Sequence, residues 1–302
     1  MSVELRPATT ADKRVRDEVT WLEWGSKLTV PQYLDREQAL RDHPWSRAVM
    51  TTWLLVDGAD VLCSCETFRN DSSVGGKPGS SFAVASVFTE PHKRGRGYAT
   101  QMMSALIRTL REQPDAQSSV LFSDVGAPIY EKSGYRAVPA WDWVLPPLDG
   151  PREAQWLEEP LPAPPRGVSR EGELLLHPSA SQLDWHFERS RLYARFLGRP
   201  ALSHYGARTA EATAWWTAQF KSDELLVLWL DAPDAAAAAP VIRAAQQQAH
   251  RAGLPRVRVW ETFSLERFPG ARRVARDGEL PMVVPLNATF AEWNRVMRVL
   301  WV

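Results

Sequence analysis

Residues 81–111 read SFAVASVFTEPHKRGRGYATQMMSALIRTLR, and this stretch decides the fold. Phe82, Val84, Ser86 and Phe88 alternate with Ala83, Ala85 and Val87, the small and β-branched pattern of a buried strand. The chain then crosses Glu90-Pro91-His92-Lys93 into Arg94-Gly95-Arg96-Gly97-Tyr98-Ala99-Thr100. Met102, Met103, Leu106, Ile107 and Leu110 follow at the i, i+3, i+4 spacing of an amphipathic helix. A strand feeding a glycine turn that opens a helix is an anion cradle, because successive N–H groups point outward and the helix N-terminus adds roughly half a positive charge. A side chain at Gly95 or Gly97 would obstruct positive-φ backbone and keep a pyrophosphate from the amides.

Two other phosphate-binding readings fail on pattern. No G-x-x-x-x-G-K-[ST] run exists, which excludes a P-loop. A dinucleotide-binding turn wants three glycines after the first strand and an acidic residue about 20 positions on. Here two glycines follow what reads as the fourth strand.

The strand ending in Val87-Phe88-Thr89, followed by Arg94-x-x-Gly97-x-Ala99, resembles motif A of the GNAT superfamily of acyl-CoA N-acyltransferases. The resemblance implies an α/β (α+β) fold with a mixed central sheet and acetyl-CoA as cosubstrate. By the same likeness, Val87, Phe88, Thr89, Arg94, Gly95, Arg96, Gly97, Tyr98, Ala99 and Thr100 contact the cofactor. Tyr130-Glu131-Lys132-Ser133-Gly134-Tyr135 resembles the family's second signature, beside the thiol end of CoA. Ser123 and Gly126 stand where the family often has Asn and Ala, so Ser123 is included as a cofactor contact. Tyr130 matches the family's tyrosine general acid.

The 302 residues suffice for two domains with separate cores. Thirty-six basic and thirty-six acidic residues balance, so no net field favours nucleic acid or an anionic membrane. Fourteen tryptophans point to aromatic-lined cores or pockets. The two cysteines, Cys63 and Cys65, lie two apart on a strand, share a face and are poorly placed to bridge, which predicts reduced thiols. Six histidines show no metal-ligand spacing, and no metal is expected; His92 reads as a solvated loop residue. The N-terminus is charged and no run approaches 18 apolar residues, which predicts a soluble, cytoplasmic protein.

In chain order, a strand over residues 3–6 precedes a helix capped at Thr9-Thr10 and running to about Trp24, and a second helix covers residues 30–43. Residues 53–56, Asp57-Gly58 and residues 61–68 form a hairpin. Residues 70–80 read as a mobile Gly/Ser loop, residues 119–124 as a buried strand, and residues 135–144 as the last strand of the sheet. These readings give a catalytic domain over residues 1–145, a proline-rich linker over 146–170 and a C-terminal α/β domain over 171–302. In the latter, residues 183–197, 210–220 and 235–251 read as helices and 225–230, 257–260 and 281–286 as strands. Asp231-Ala232-Pro233-Asp234 stands where a glycine turn would be, so this half is either a degenerate GNAT-like repeat or an unrelated companion. Cys65-Glu66-Thr67-Phe68 and Trp260-Glu261-Thr262-Phe263 hint at duplication.

Acyl transfer to an amine needs an unprotonated amine, an oxyanion donor and an acid for the thiolate. A lysine side chain near pKa ~10.4 costs roughly 4–5 kcal/mol to deprotonate at pH 7, against about 1 kcal/mol for an α-amine. Glu66, near the end of the third strand, is the leading candidate base, Glu261 the second and the carboxylate of Val302 a third. The oxyanion donor is expected among the main-chain N–H groups near 87–89.

Trp21-Leu22-Glu23-Trp24-Gly25, then Leu28-Thr29-Val30-x-x-Tyr33-Leu34-x-Arg36-Glu37, Ser64-Cys65-Glu66-Thr67, and Ser123-Asp124-Val125-Gly126 before Tyr130-Glu131-Lys132 are similar to the fungal lysine N6-acetyltransferases, which also carry a C-terminal region. That likeness implies the ε-amine of free lysine as acceptor, with Glu23, Trp24 and Glu261 on the substrate. A GNAT acting on another amine, such as an antibiotic or a protein side chain, and a non-catalytic acyl-CoA-binding protein are the alternatives. The expected partner is a small-molecule amine.

Overall fold

The computed structural model describes residues 3–159, 167–276 and 278–302. Part of the proposed linker, residues 160–166, lies outside the described residues. Strand β1 (Glu4–Pro7) leads into helices α1 (Thr10–Trp24), α2 (Val30–Asp42) and α3 (Pro44–Val49). Then come β2 (Met50–Asp57), β3 (Asp60–Val74), β4 (Lys77–Phe88), α4 (Tyr98–Arg111), β5 (Ala116–Ser123), α5 (Pro128–Glu131) and β6 (Arg136–Ala137). The second half holds β7 (Trp141–Leu145), β8 (Gln155–Leu157), β9 (Glu173–His177), α6 (Ala180–Phe196), β10 (Gly206–Arg208), β11 (Thr213–Gln219) and β12 (Glu224–Asp231). It finishes with α7 (Ala235–Arg251), β13 (Val257–Trp260), β14 (Arg272–Ala275), β15 (Leu280–Pro285) and β16 (Glu292–Trp293).

The helix starts follow local chemistry. Thr9 caps α1 and Thr29 caps α2, each in a reciprocal capping box, with Asp12 and Gln32 returning the hydrogen bond. Gly25 closes α1. In α4 the side chains of Met102, Met103, Leu106, Ile107 and Leu110 are all buried against β3, β4, β5 and β15. At roughly 1.5–3 kcal/mol each, that stripe fixes the helix on the sheet. Cys63 and Cys65 lie in the same layer as free, buried thiols, while Ser64 and Glu66 face the opposite side towards α1.

The first sheet runs β1-β2-β3-β4-β5-β15-β6, with β9 on the far end of β3 and β16 on β9. Strands β4 and β5 are parallel and the remaining main pairs antiparallel, the mixed sheet expected of the fold. The second sheet runs β14-β7-β13-β12-β11-β10-β8, again with a parallel pair, β12 and β13, joined by helix α7.

The halves exchange strands. Residues 135–144 do not close the first sheet as expected. Only Arg136–Ala137 belongs to it, and β7 instead lies between β13 and β14 of the second sheet. The place beside β5 is filled by β15 from the C-terminal half, with register Met282↔Leu121 and Val283↔Val120. Each half therefore lends the other a strand at the corresponding position. At the entry to β7, Asp142 is buried and held by Arg258 of β13 at 2.9 Å and by Arg276 at 2.7 Å. A buried carboxylate gripped this way specifies one pairing, since any register that loses the arginines strands its charge.

Two segments depart from the sequence reading. Residues 70–80 are no loop: β3 continues to Val74, turns at Gly75-Gly76 (φ +56° and +79°) and returns as β4. Ser72, Ser81 and Ser118 satisfy one another by hydroxyl hydrogen bonds of 2.8 Å, so a serine-rich stretch is buried without orphaned polar groups. Residues 210–220 contain strand β11 rather than a helix. Thr213, Trp215, Trp216 and Thr217 favour pleated structure, and the strand is sandwiched with both faces buried.

Candidate active site

Between the halves lies a cleft of about 1140 Å³. Strands β4 and β5 make its floor. They pair from Ser80↔Ala116 to Val84↔Leu121 and then diverge, so residues 85–88 have no partner on β5. The divergence coincides with Ser86 at φ +53° and with a register shift opposite Ser64 and Glu66 on β3. A non-glycine residue in the left-handed region is a strained, built feature. Here it turns the peptide edge of 85–88 into the opening.

Helix α4 starts at one end of this opening. Gly95 and Gly97 hold φ of +80° and +79°, and Gly97 is the N-cap of α4 with no side-chain cap. A Cβ built on either would meet no atom within 4 Å, so the space over the turn is open. Uncapped helix amides, positive-φ glycines and open volume together fit a pyrophosphate. The corresponding helix of the second half, α7, offers no such cradle, because Asp234 Oδ1 accepts from the N–H groups of Ala236 and Ala237 and fills its N-terminus with the protein's own carboxylate.

Of the residues expected at the cofactor, Val87, Phe88, Thr89, Arg94, Gly95, Gly97, Tyr98, Ala99 and Thr100 line the cleft. Two do not. Arg96, between the two positive-φ glycines, is exposed and outside the cleft lining. Ser123 is buried and spends its hydroxyl inside the turn that follows β5, donating to Gly126 O at 2.7 Å and accepting from Val125 N at 3.2 Å. Its contribution is to shape the turn that delivers α5 and Tyr130.

Tyr130 lines the cleft with its ring packed edge-on to Tyr135, centroids 6.1 Å apart. Burial pushes its pKa up to about 12, with the Cys63, Cys65 and Asp124 side chains adding to the shift. The phenol is therefore protonated at neutral pH, and its hydroxyl makes no hydrogen bond to the described residues.

The carboxylates separate clearly. Glu66 reaches the cleft from β3 at the level of Ala85, and its Oε1 accepts from Arg16 at 2.9 Å, leaving Oε2 without a hydrogen bond to the described residues. Arg16 is buried and also donates to Ser64 Oγ at 3.1 Å and to Ser86 O at 3.1 Å, so one guanidinium fixes both the glutamate and the strained bulge. Glu23 and Trp24 line the cleft, but the Glu23 carboxylate is paired with Arg94 and Trp24 stacks edge-on with Phe88. Glu261 is not brought to the site. It forms a two-pronged ion pair with Arg273 on the second sheet, 2.6 and 2.7 Å, away from the cleft lining. Trp301 and Val302 do line the cleft.

Sequence reasoning met Tyr33, Arg36 and Glu37 only within a family likeness and gave no site role to the charge that two helices bring to the cleft. The inward face of α2 supplies Tyr33, Arg36, Glu37, Leu40 and Arg41, and that of α6 supplies Trp185, His186, Arg189, Ser190 and Tyr193. Glu37 is held below the usual carboxylate range by Arg36 against the cost of its burial. The 33, 36, 37, 40 spacing was a legible signal: charged residues on a helix's apolar stripe point to a polar site. Glu279, before β15, also lines the cleft, and burial raises its pKa while Arg298 opposes.

Replacing Arg16 by Met is expected to strand Glu66 and cost about 3 kcal/mol, a fall of roughly 6 °C or more in Tm. The double variant Arg16→Met/Glu66→Gln should recover most of that in thermal melts. If the single variant melts with wild type, the pair does not hold the bulge.

Two family models match in succession: the acetyltransferase (GNAT) domain over residues 29–138, and the LYC1 GNAT-like C-terminal domain over residues 152–277. The chain belongs to the GNAT superfamily. Both halves carry the family likeness, which decides between a GNAT-like repeat and an unrelated companion in favour of the former. The chain is 28% identical over 148 residues to a lysine acetyltransferase of Yarrowia lipolytica, a match covering 46% of this chain and 37% of that protein. Solved structures share the whole two-part GNAT fold. A probable N-acyltransferase of unknown function from Enterococcus faecalis aligns over 95% of this chain and 73% of its own, at 13% identity and a TM-score of 0.59. Eis1 from Mycobacterium abscessus aligns over 95% and 74%, at 12% identity and a TM-score of 0.56. Among the described residues no helix is long and apolar enough to cross a membrane.

Proposed function

We propose that this GNAT protein transfers an acetyl group from acetyl-CoA to a primary amine, the ε-amine of free lysine or of a similar amino acid, by direct attack in a ternary complex. The observation that carries the reading is that one cleft holds the glycine cradle, the splayed edge of β4 and the unpartnered Tyr130 hydroxyl together. The amides at 95–100 would hold the pyrophosphate, and the thioester supplies the activated acyl group. Residues 87 and 88 lie where β4 has parted from β5, and a main-chain N–H in the 87–89 stretch would stabilise the oxyanion. Glu66, through the oxygen that Arg16 leaves free, accepts the proton of the incoming ammonium, and Tyr130 gives its proton to the leaving thiolate.

Support for an amino acid over a protein side chain comes from the walls. The acceptor end is lined by α2 and α6, whose arginines Arg36, Arg41 and Arg189 make it unlike the acidic groove that would draw a basic polypeptide. The Yarrowia relative, a lysine acetyltransferase, supports a lysine amine as the acceptor.

The test is free-CoA release from acetyl-CoA with L-lysine, with Nε-acetyl-lysine and with no acceptor. Release that requires the free ε-amine is expected. A protein that binds CoA yet releases none with lysine would overturn that acceptor and leave another amine or a non-catalytic role.

A further inference from the structure

The arginines along the cleft are accounted for with one exception. Arg36 is held by Glu37, Arg41 by Asp17 at 2.8 Å and Arg94 by Glu23. Arg298 faces Glu279 at 3.9 Å and donates to Trp301 O at 3.0 Å. Arg189, on the cleft face of α6, makes no ion pair or hydrogen bond with any described residue, and its guanidinium lies 5.8 Å from the Trp185 ring. It is half-buried, and Tyr193, Arg36, Glu37 and Glu279, which line the same cleft, are close enough to act on its charge.

A guanidinium placed in a closed cleft without a partner is costly, and a bound anion removes the cost. Burial and the neighbouring Arg36 already pull Arg189 below its ordinary pKa. The fork geometry of arginine suits a carboxylate, and Glu37 and Glu279 in the same cleft lining suit an adjacent ammonium. Cationic, unpaired and bordered by acids, the position is complementary to a zwitterionic head group.

We infer that Arg189 is the specificity residue for the carboxylate of the acceptor, so that the enzyme takes amino acids and rejects the corresponding diamines. This rests on the proposed amine acetylation and adds to it the chemical class of the substrate's far end. An acceptor anchored by its carboxylate at α6 reaches towards β4 with its side-chain amine, while a polyamine would leave Arg189 unpaired and add charge repulsion.

The experiment uses the full chain with CoA bound. Affinities are measured by calorimetry for amines paired with their carboxylated forms: cadaverine with L-lysine, putrescine with L-ornithine, agmatine with L-arginine. Wild type is expected to bind the best carboxylated member roughly 10- to 100-fold more tightly than its partner, the range of charged hydrogen bonds. Arg189→Gln should abolish that preference by weakening the carboxylated member while the diamine binds as well as before or better, since the repulsion is gone, and Arg189→Lys should restore part of the preference. Thermal melts confirm that the variants fold.

The inference falls if wild type binds both members of every pair equally or binds none of the six. It also falls if Arg189→Gln weakens both members alike. Carboxylate discrimination that depends on Arg189 but comes without CoA release would uphold the anion site and overturn the acetyl-transfer reading. CoA release as rapid with cadaverine as with lysine would do the reverse.

Discussion

Gly97→Val is expected to lose CoA binding by about 10²- to 10⁴-fold while the protein remains folded. The affinity at stake is that of a few charge-assisted hydrogen bonds from main-chain amides, each worth roughly 1.5–3 kcal/mol. Gly97 sits at φ +79°, where a β-branched side chain is strained by about 1–2 kcal/mol. To relieve that strain the turn must rotate, and the amides at the head of α4 rotate with it. Stability should suffer little, because a Cβ there meets no atom within 4 Å and α4 is held by five buried side chains further along. Gly58 provides a matched control. Its φ is +60°, its Cβ position is equally open, and it lies in the β2–β3 turn, outside the cleft lining. Gly58→Val should carry the same strain and leave CoA affinity untouched. Equal losses of affinity in the two variants, measured by titration with acetyl-CoA, would show that strain and not the cradle was being read.

What could be read from the sequence is what is written locally. The cap at Thr9, the start of α2 near Pro31, the glycine turn and the apolar stripe of α4 involve residues within a few positions of one another, and each fell where expected. The exchange of β7 and β15 was not legible for a physical reason. Both are short apolar strands with nearly every side chain buried, and either would satisfy either sheet by composition. Their destination is set by partners far along the chain, such as Arg258 and Arg276 around Asp142.

The two glutamates make the same point about the site. Glu66 and Glu261 stand in the near-identical phrases Cys65-Glu66-Thr67-Phe68 and Trp260-Glu261-Thr262-Phe263. Glu66 meets Arg16 at the strained bulge and faces the cleft, whereas Glu261 meets Arg273 and does not. The tetrapeptide carries no information about that difference; the helix packed over it does. Likewise Arg189 looks in sequence like one more arginine of an Arg-rich helix. Only the pairing of its neighbours reveals that it is the one left without a counter-ion among the described residues.

Tyr130→Phe is expected to lower turnover on the order of 10²-fold or more, within the range for loss of a positioned general acid. The affinity for acetyl-CoA should stay nearly unchanged. The substitution removes only the hydroxyl, so the ring keeps its edge contact with Tyr135, and no protein hydrogen bond is broken. Any loss therefore belongs to the chemical step and not to packing. The pH dependence sharpens this. With its pKa near 12, Tyr130 stays protonated throughout the range in which an amine acceptor, near pKa ~10.4 for a lysine side chain, loses its proton. The wild-type rate should climb with pH as the acceptor deprotonates and show no falling limb below about pH 11. In Tyr130→Phe the climb should keep its position and reach a lower plateau, because the acceptor's titration is untouched and only the proton donor is gone. A turnover number equal to wild type would remove Tyr130 from the mechanism. A rise in the acetyl-CoA dissociation constant matching the fall in kcat/KM would reassign its hydroxyl to cofactor binding.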